Sequence, residues 1–219
     1  MKIYLLLVTS IFNFCACFAE DSRIHEILTY WFGELQTPED YPSEKSNIWF
    51  AGGPQIDQEI RSLFEPLVWK AANHDLDNWK ESAKGRLALI ILLDQFPRNI
   101  FRGQPNAFAF DPMALELTLE GLCSGVDQQL FPIERVFFYL PLEHAENIKY
   151  QELSIAKFEE LAKSMKLPLK SVFESFSNYA HGHYRIIEKF GRFPHRNAIL
   201  GRETTSEEEA FLKTPNSSY

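Results

Sequence analysis

The sequence predicts an all-α fold in which helical hairpins stack side by side in one domain, behind an N-terminal export signal. Three observations carry this. Apolar residues recur at three- and four-residue spacing along most of the chain. No stretch keeps the period-two alternation of a half-buried strand. Helix-start and helix-stop residues fall where the periodic segments begin and end. At 219 residues the chain is long enough to bury a real core.

The elements follow in order. Lys2 precedes a mostly apolar stretch from Ile3 to Phe14, then small residues at Cys15-Ala16-Cys17-Phe18-Ala19, then Glu20-Asp21. That layout predicts a signal peptide over residues 1–19, leaving residues 20–219 as the helical domain. The apolar stretch is shorter than the ~20 residues a membrane span needs. An uncleaved anchor, or a cytoplasmic chain whose start is misassigned, is the alternative to a periplasmic or secreted one.

Ile56, Ile60, Leu63, Phe64, Leu67 and Ala71 share one helix face, which Pro66 is expected to kink or end. Leu87 to Leu93 is an unbroken apolar run whose flanks, Arg86 and Asp94, favour a buried helix. Asp111-Pro112 reads as a cap and first turn for a helix through Leu115, Leu119 and Leu122. Phe158, Leu161, Ala162 and Met165 mark another helix. A long one follows Pro168, with the stripe Val172, Phe176, Tyr179, Ala180, His183, Ile187 and Phe190, and Gly191 stops it. Ser206 and the three glutamates after it open a short terminal helix. The longest irregular stretch, Gly33 to Pro54, reads as a docking loop or as slack.

A net charge of −8 argues against a nucleic-acid partner, since phosphate backbones are bound through basic faces. Once the signal is removed, Cys123 is the one remaining cysteine, so no intramolecular disulfide can hold the fold. Its place at the end of an apolar helix suggests core packing. No CxxC or zinc-type spacing occurs, and neither does GxSxG, a Walker loop, GxGxxG or HExxH. No cofactor and no metal is expected.

Polar chemistry concentrates in three segments: Asp94-Gln95-Phe96-Pro97-Arg98-Asn99-Ile100-Phe101-Arg102, Phe137 to Glu146, and Phe190 to Asn197 with Leu200-Gly201-Arg202 after it. The first and third echo each other, with Phe-Pro-Arg-Asn and Phe-Pro-His-Arg-Asn each following an apolar helix. These stretches, LDQFPRNIFRG, FFYLPLEHAE and GRFPHRNAILGR, resemble the signatures of the domain-of-unknown-function 924 family. Trp31-Phe32-Gly33 and Glu207 to Leu212 also fit, so the likeness spans nearly everything from Ile24 to Leu212. The resemblance implies a helical fold similar to tetratricopeptide repeats and no established activity. The export signal and the mid-helix Gly182 depart from the family pattern.

At ~100° per residue His183 falls within the apolar stripe and His181 opposite it. An inward histidine needs a partner, for which Glu143, Glu146 and Asp94 are the candidates. The candidate ligand-binding set is Asp94, Arg98, Arg102, Glu143, His144, Glu146, His183, Arg192, His195, Arg196, Asn197 and Arg202. The arginines could instead pair with the acids and tie helix ends together. As a site, the guanidinium forks suit a carboxylate or phosphate. The function expected on this reading is binding of a peptide or a small anionic ligand. The alternative is a hydrolase-type enzyme in which His144 or His183 works with Glu143 or Glu146.

Overall fold

The computed structural model describes residues 21–215 and Ser217; the signal-peptide expectation for residues 1–19 lies outside the described residues. Nine α-helices and no strand occur among the described residues. Helix α1, Ser22–Phe32, is capped by the Asp21 side chain and stopped at Gly33, whose φ of 72° suits glycine. Helix α2 spans Pro54–Ala72. Helix α3, Ala83–Ile90, continues through a π-helical turn, Ile91–Gln95, into α4, Phe96–Ile100. Next come α5, Asp111–Ser124, α6, Pro132–His144, and α7, Ile148–Ser164. The chain closes with α8, Lys170–Phe190, and the short α9, Ser206–Leu212.

The unbroken apolar run sets the centre of the molecule. A helix without a polar face must be covered on all sides, and Leu87 to Leu93 are all buried. Helix α1 packs on α3, α2 on α4 and the π turn, and α5 and α6 on α3. From α5 to α8 each helix packs on the next. Aromatic rings lock the middle. Trp31 meets Phe96 and Phe137 edge-on at 5.5 and 5.6 Å, and Phe64 stacks on Phe96 at 4.7 Å. The irregular segment after α1 contributes to this core. A π-helical turn, Asn47–Ala51, drives Trp49 inward, where its indole N–H donates to the Trp31 carbonyl at 2.9 Å.

Four expectations are corrected. Helix α2 does not end at Pro66. Pro66 and Ser62, whose carbonyl loses its N–H partner, are exposed, so water can satisfy that group, while Ile60, Phe64, Val68 and Ala71 hold the opposite face in the core. Helix α5 buries Ala114, Leu117, Thr118 and Gly121, and its Leu115, Leu119 and Leu122 are only half-buried. Small residues permit a close helix approach there: a Cβ on Gly121 would sit 2.5 Å from the Phe138 ring. Cys123, two positions past Gly121 and so nearly opposite the buried face, is exposed rather than core. The terminal helix is capped one residue earlier than expected, by Thr205, whose capping box pairs it with Glu208. No described helix is long and apolar enough to cross a membrane.

Candidate functional site

The three polar segments meet because the elements that carry them end near one another. The π turn delivers Asp94, α6 ends on His144, α8 supplies His183, and the loop after Gly191 brings Phe193 to Asn197. π-Helical turns are poor local geometry and collect at functional sites. The ends of α6 and α8 are fixed separately. Gln151 donates to the carbonyls of Glu143 and Ala145 at 2.6 and 2.8 Å, and Gly191 takes the left-handed conformation with φ of 67°.

Two acid–histidine pairs lie side by side. Asp94, fully buried, holds the His144 Nδ1 at 2.7 Å, and also accepts from Arg98 at 3.2 Å and from Gln95. With Nδ1–H donating to Asp94, the lone pair of His144 lies on Nε2, and the ring keeps 14% of its surface exposed. His183 points inward as its helical position predicted. Its Nδ1 lies 2.9 Å from Glu143 and 3.0 Å from the Tyr179 carbonyl. The two imidazoles are 6.2 Å apart. Glu143 keeps its second oxygen, Oε2, buried and without a hydrogen-bond partner.

Around them the arginines are organised by Asp111, which the sequence did not single out for this role, and by Glu146, which it did. Asp111 takes both Arg98 N–H groups at 2.9 and 3.1 Å and one from Arg196 at 3.3 Å. The two echoing Phe-Pro segments thus converge on one carboxylate. Arg196 lies between the Phe108 and Phe193 rings, each 4.6 Å from its guanidinium carbon. Glu146 accepts from Arg202 at 2.6 and 3.0 Å and from the Phe193 N–H at 2.7 Å.

Two of the expected arginines belong elsewhere. Arg102 forms a fork with Asp57 at 2.7 and 2.8 Å on α2, and is more than half exposed. Arg192 forks onto Glu208 at 2.7 and 2.9 Å, with Asn197 reaching the same carboxylate at 3.3 Å. That set clasps α9 to the loop after α8. Every one of these arginines has an internal acid, as expected if they tie helix ends together. Arg196 Nε is the one donor among them that is buried without a partner, and His195 Nδ1 is buried without a partner beside it.

The electrostatics separate the groups by role. Burial raises the Asp94 pKa, but Arg98 and His144 outweigh it and hold the carboxyl far below its ordinary value. Burial likewise opposes, and Arg202 and the Phe193 N–H overcome, a shift that leaves Glu146 low. Both are therefore poor bases. Burial, with Arg98 beside it, lowers His144, so its imidazole is neutral at neutral pH. His195 is driven down to about 4 by burial and by Arg196 and His183 nearby. Arg196 falls to about 10 through burial and the neighbouring Arg98. Among the described residues no group of three or more His, Cys, Asp or Glu side chains is arranged to hold a metal ion.

The family model for bacterial proteins of unknown function, DUF924, matches residues 27–216. A solved structure of a protein of unknown function from Agrobacterium tumefaciens is similar to this chain, with 36% sequence identity and a TM-score of 0.73. The match covers 88% of this chain and 97% of that one. No curated protein matches it. With the helical fold and all three signature segments in place, the chain belongs to the DUF924 family of bacterial proteins of unknown function.

Proposed function

We propose that the protein binds a small anionic ligand at the shell around Phe193, whose ring His195 and Arg196 flank and to which Glu143 is linked through His183. The observation that supports this is a local deficit of hydrogen bonds. Buried polar atoms are nearly always partnered, yet Glu143 Oε2, His195 Nδ1 and Arg196 Nε all lack partners. They belong to one neighbourhood. The Phe193 ring lies 4.6 Å from the Arg196 guanidinium carbon, and 5.7 and 5.6 Å from the rings of His195 and His183, and His183 in turn holds Glu143. A carboxylate or phosphate oxygen would satisfy the Arg196 N–H, and a hydroxyl on the same ligand would donate to Glu143. Hydrogen phosphate and small hydroxycarboxylates combine both features.

The test is thermal unfolding of the full chain with added inorganic phosphate and with lactate, against chloride at matched ionic strength. Ligand at ~100 times its Kd stabilises by about 2.7 kcal/mol, which in a domain of this size raises Tm by about 5–11 °C. Arg196→Lys keeps the charge but loses the Nε geometry, and should cancel the rise. Equal rises in the wild type and the variant, or none in either, contradict the proposal.

One observation favours a second reading, in which the site also does acid–base chemistry. Asp94 orients a neutral, partly open His144, the arrangement of a general base whose proton is taken on Nε2. On this reading His144→Gln abolishes hydrolysis of an activated ester such as p-nitrophenyl acetate and leaves the phosphate-induced Tm rise intact. Hydrolysis unchanged by that substitution refutes it.

A further inference from the structure

The outer face of α8 forms a groove of about 720 Å³, walled at one end by Phe211 of α9. Of its lining residues, Tyr179 alone enters the histidine cluster described above, through the carbonyl that contacts His183. Gly182 sits at its middle, although glycine inside a helix costs about 1 kcal/mol relative to alanine. What surrounds that glycine is sorted by chemistry. At about 100° per residue from Gly182, Tyr179, Ile186 and Phe190 fall on one side, at about +60°, +40° and +80°. Asn178, Arg185 and Glu174 fall on the other, at about −40°, −60° and −80°, with Lys189 near the midline at about −20°. Tyr179 is 57% exposed, and Arg185 is exposed with no ion pair among the described residues.

That sorting makes the face complementary to itself in one orientation. A two-fold axis that lays two copies of α8 antiparallel, crossing at Gly182, keeps each side against its own kind. Asn178 then meets the partner's Arg185 and Glu174 meets the partner's Lys189, while Tyr179 lies over the partner's Ile186, which is only 5% exposed and packs in its own protomer against Ile187 and Phe193. A parallel pairing would set the charged side against the side that carries Tyr179 and Phe190. The charged pair is free to form. Glu174 is only 4.0 Å from Lys170, at the limit of an ion pair, and Lys189 shares Glu207 at 3.0 Å with both side chains more than half exposed. We propose that the α8 face is a homodimer interface, with two copies of this chain packed antiparallel about Gly182. A closed, isologous contact of this kind is the commonest form of oligomer.

The test is the mass of the full chain in solution, measured by light scattering after gel filtration across a concentration series, with circular dichroism confirming that each variant is folded. The wild type should be a dimer. Glu174→Lys and Lys189→Glu each set like charges opposite one another twice per dimer and should weaken association at least ~tenfold, the equivalent of about 1.4 kcal/mol. The double variant restores the pairs with signs exchanged and should dimerise again. Both positions are exposed, so neither change threatens the fold. A wild-type monomer at every concentration overturns the proposal. So does a dimer indifferent to the single changes, or one that the double variant fails to restore.

Discussion

His195 carries a pH dependence large enough to measure. Its imidazole is held at about 4 by burial and by the charge of Arg196, against 6.5 for the free side chain. The folded protein therefore refuses a proton that the unfolded chain accepts. The sign follows: stability from this group is present above pH 6.5 and is lost as pH falls from 6.5 toward 4. At pH 4.5 the loss integrates to about 2.5 kcal/mol, since each decade of protonation bias is worth 1.36 kcal/mol. In a domain of this length that is a fall in Tm of about 5–10 °C. His144, also lowered by burial, adds loss in the same direction. Asp94 does not confuse the window, because a depressed carboxylate loses its contribution only below about pH 4, its unfolded value.

The assay is urea unfolding of wild type and His195→Gln at pH 7.5, 6.5, 5.5 and 4.5. Glutamine cannot titrate, so the gap between the two proteins should move in favour of the variant by about 2.5 kcal/mol between pH 7.5 and 4.5. Curves that fall in parallel through this range would refute the reasoning. They would mean that His195 is protonated as readily in the fold as outside it.

Other consequences follow from the same contacts. Asp94→Asn removes a fully buried charge from Arg98 and His144 and should cost about 3 kcal/mol, because Arg98 keeps Asp111; chemical denaturation measures it. Gly121→Ala pushes a methyl against Phe138 and should destabilise by about 1–3 kcal/mol in the same assay. Arg192→Ala releases Glu208 and should expose the segment after Gly201 to limited proteolysis, with the rest of the chain remaining resistant. The signal-peptide proposal is checked by mass spectrometry of the protein from producing cells: a mature chain starting at Glu20 supports it, and an intact Met1 contradicts it.

The residues explain which parts of this were readable in advance. Periodicity placed His183 inside, because a long helix with a clean stripe assigns each position a side. The same rule misread α5, where leucines looked like the core face while the close packing uses Ala114, Thr118 and Gly121. Bulk is a poor guide wherever helices approach closely. The pairings themselves were out of reach. Asp94 and His144 are 50 residues apart, and Asp111 and Arg196 are 85 apart. Spacing along a chain says nothing about contacts at that separation. Asp111 had been read only as a helix start, and its Pro112 neighbour supports that local reading without revealing two arginines arriving from elsewhere. Composition shows the arginine donors and hides which carboxylates consume them. What did carry over is the Phe-Pro echo, which brought Arg98 and Arg196 to one acid.

The central claim is that Glu143, His195 and Arg196 are held ready for an anion. A crystal structure of the chain grown with inorganic phosphate tests it most directly. Density for a tetrahedral anion should appear within hydrogen-bond distance of Arg196 Nε and His195 Nδ1, with a hydroxyl toward Glu143 Oε2. Ordered water alone satisfying those three atoms at saturating phosphate would contradict it, and would make the cluster a device for holding the helices together.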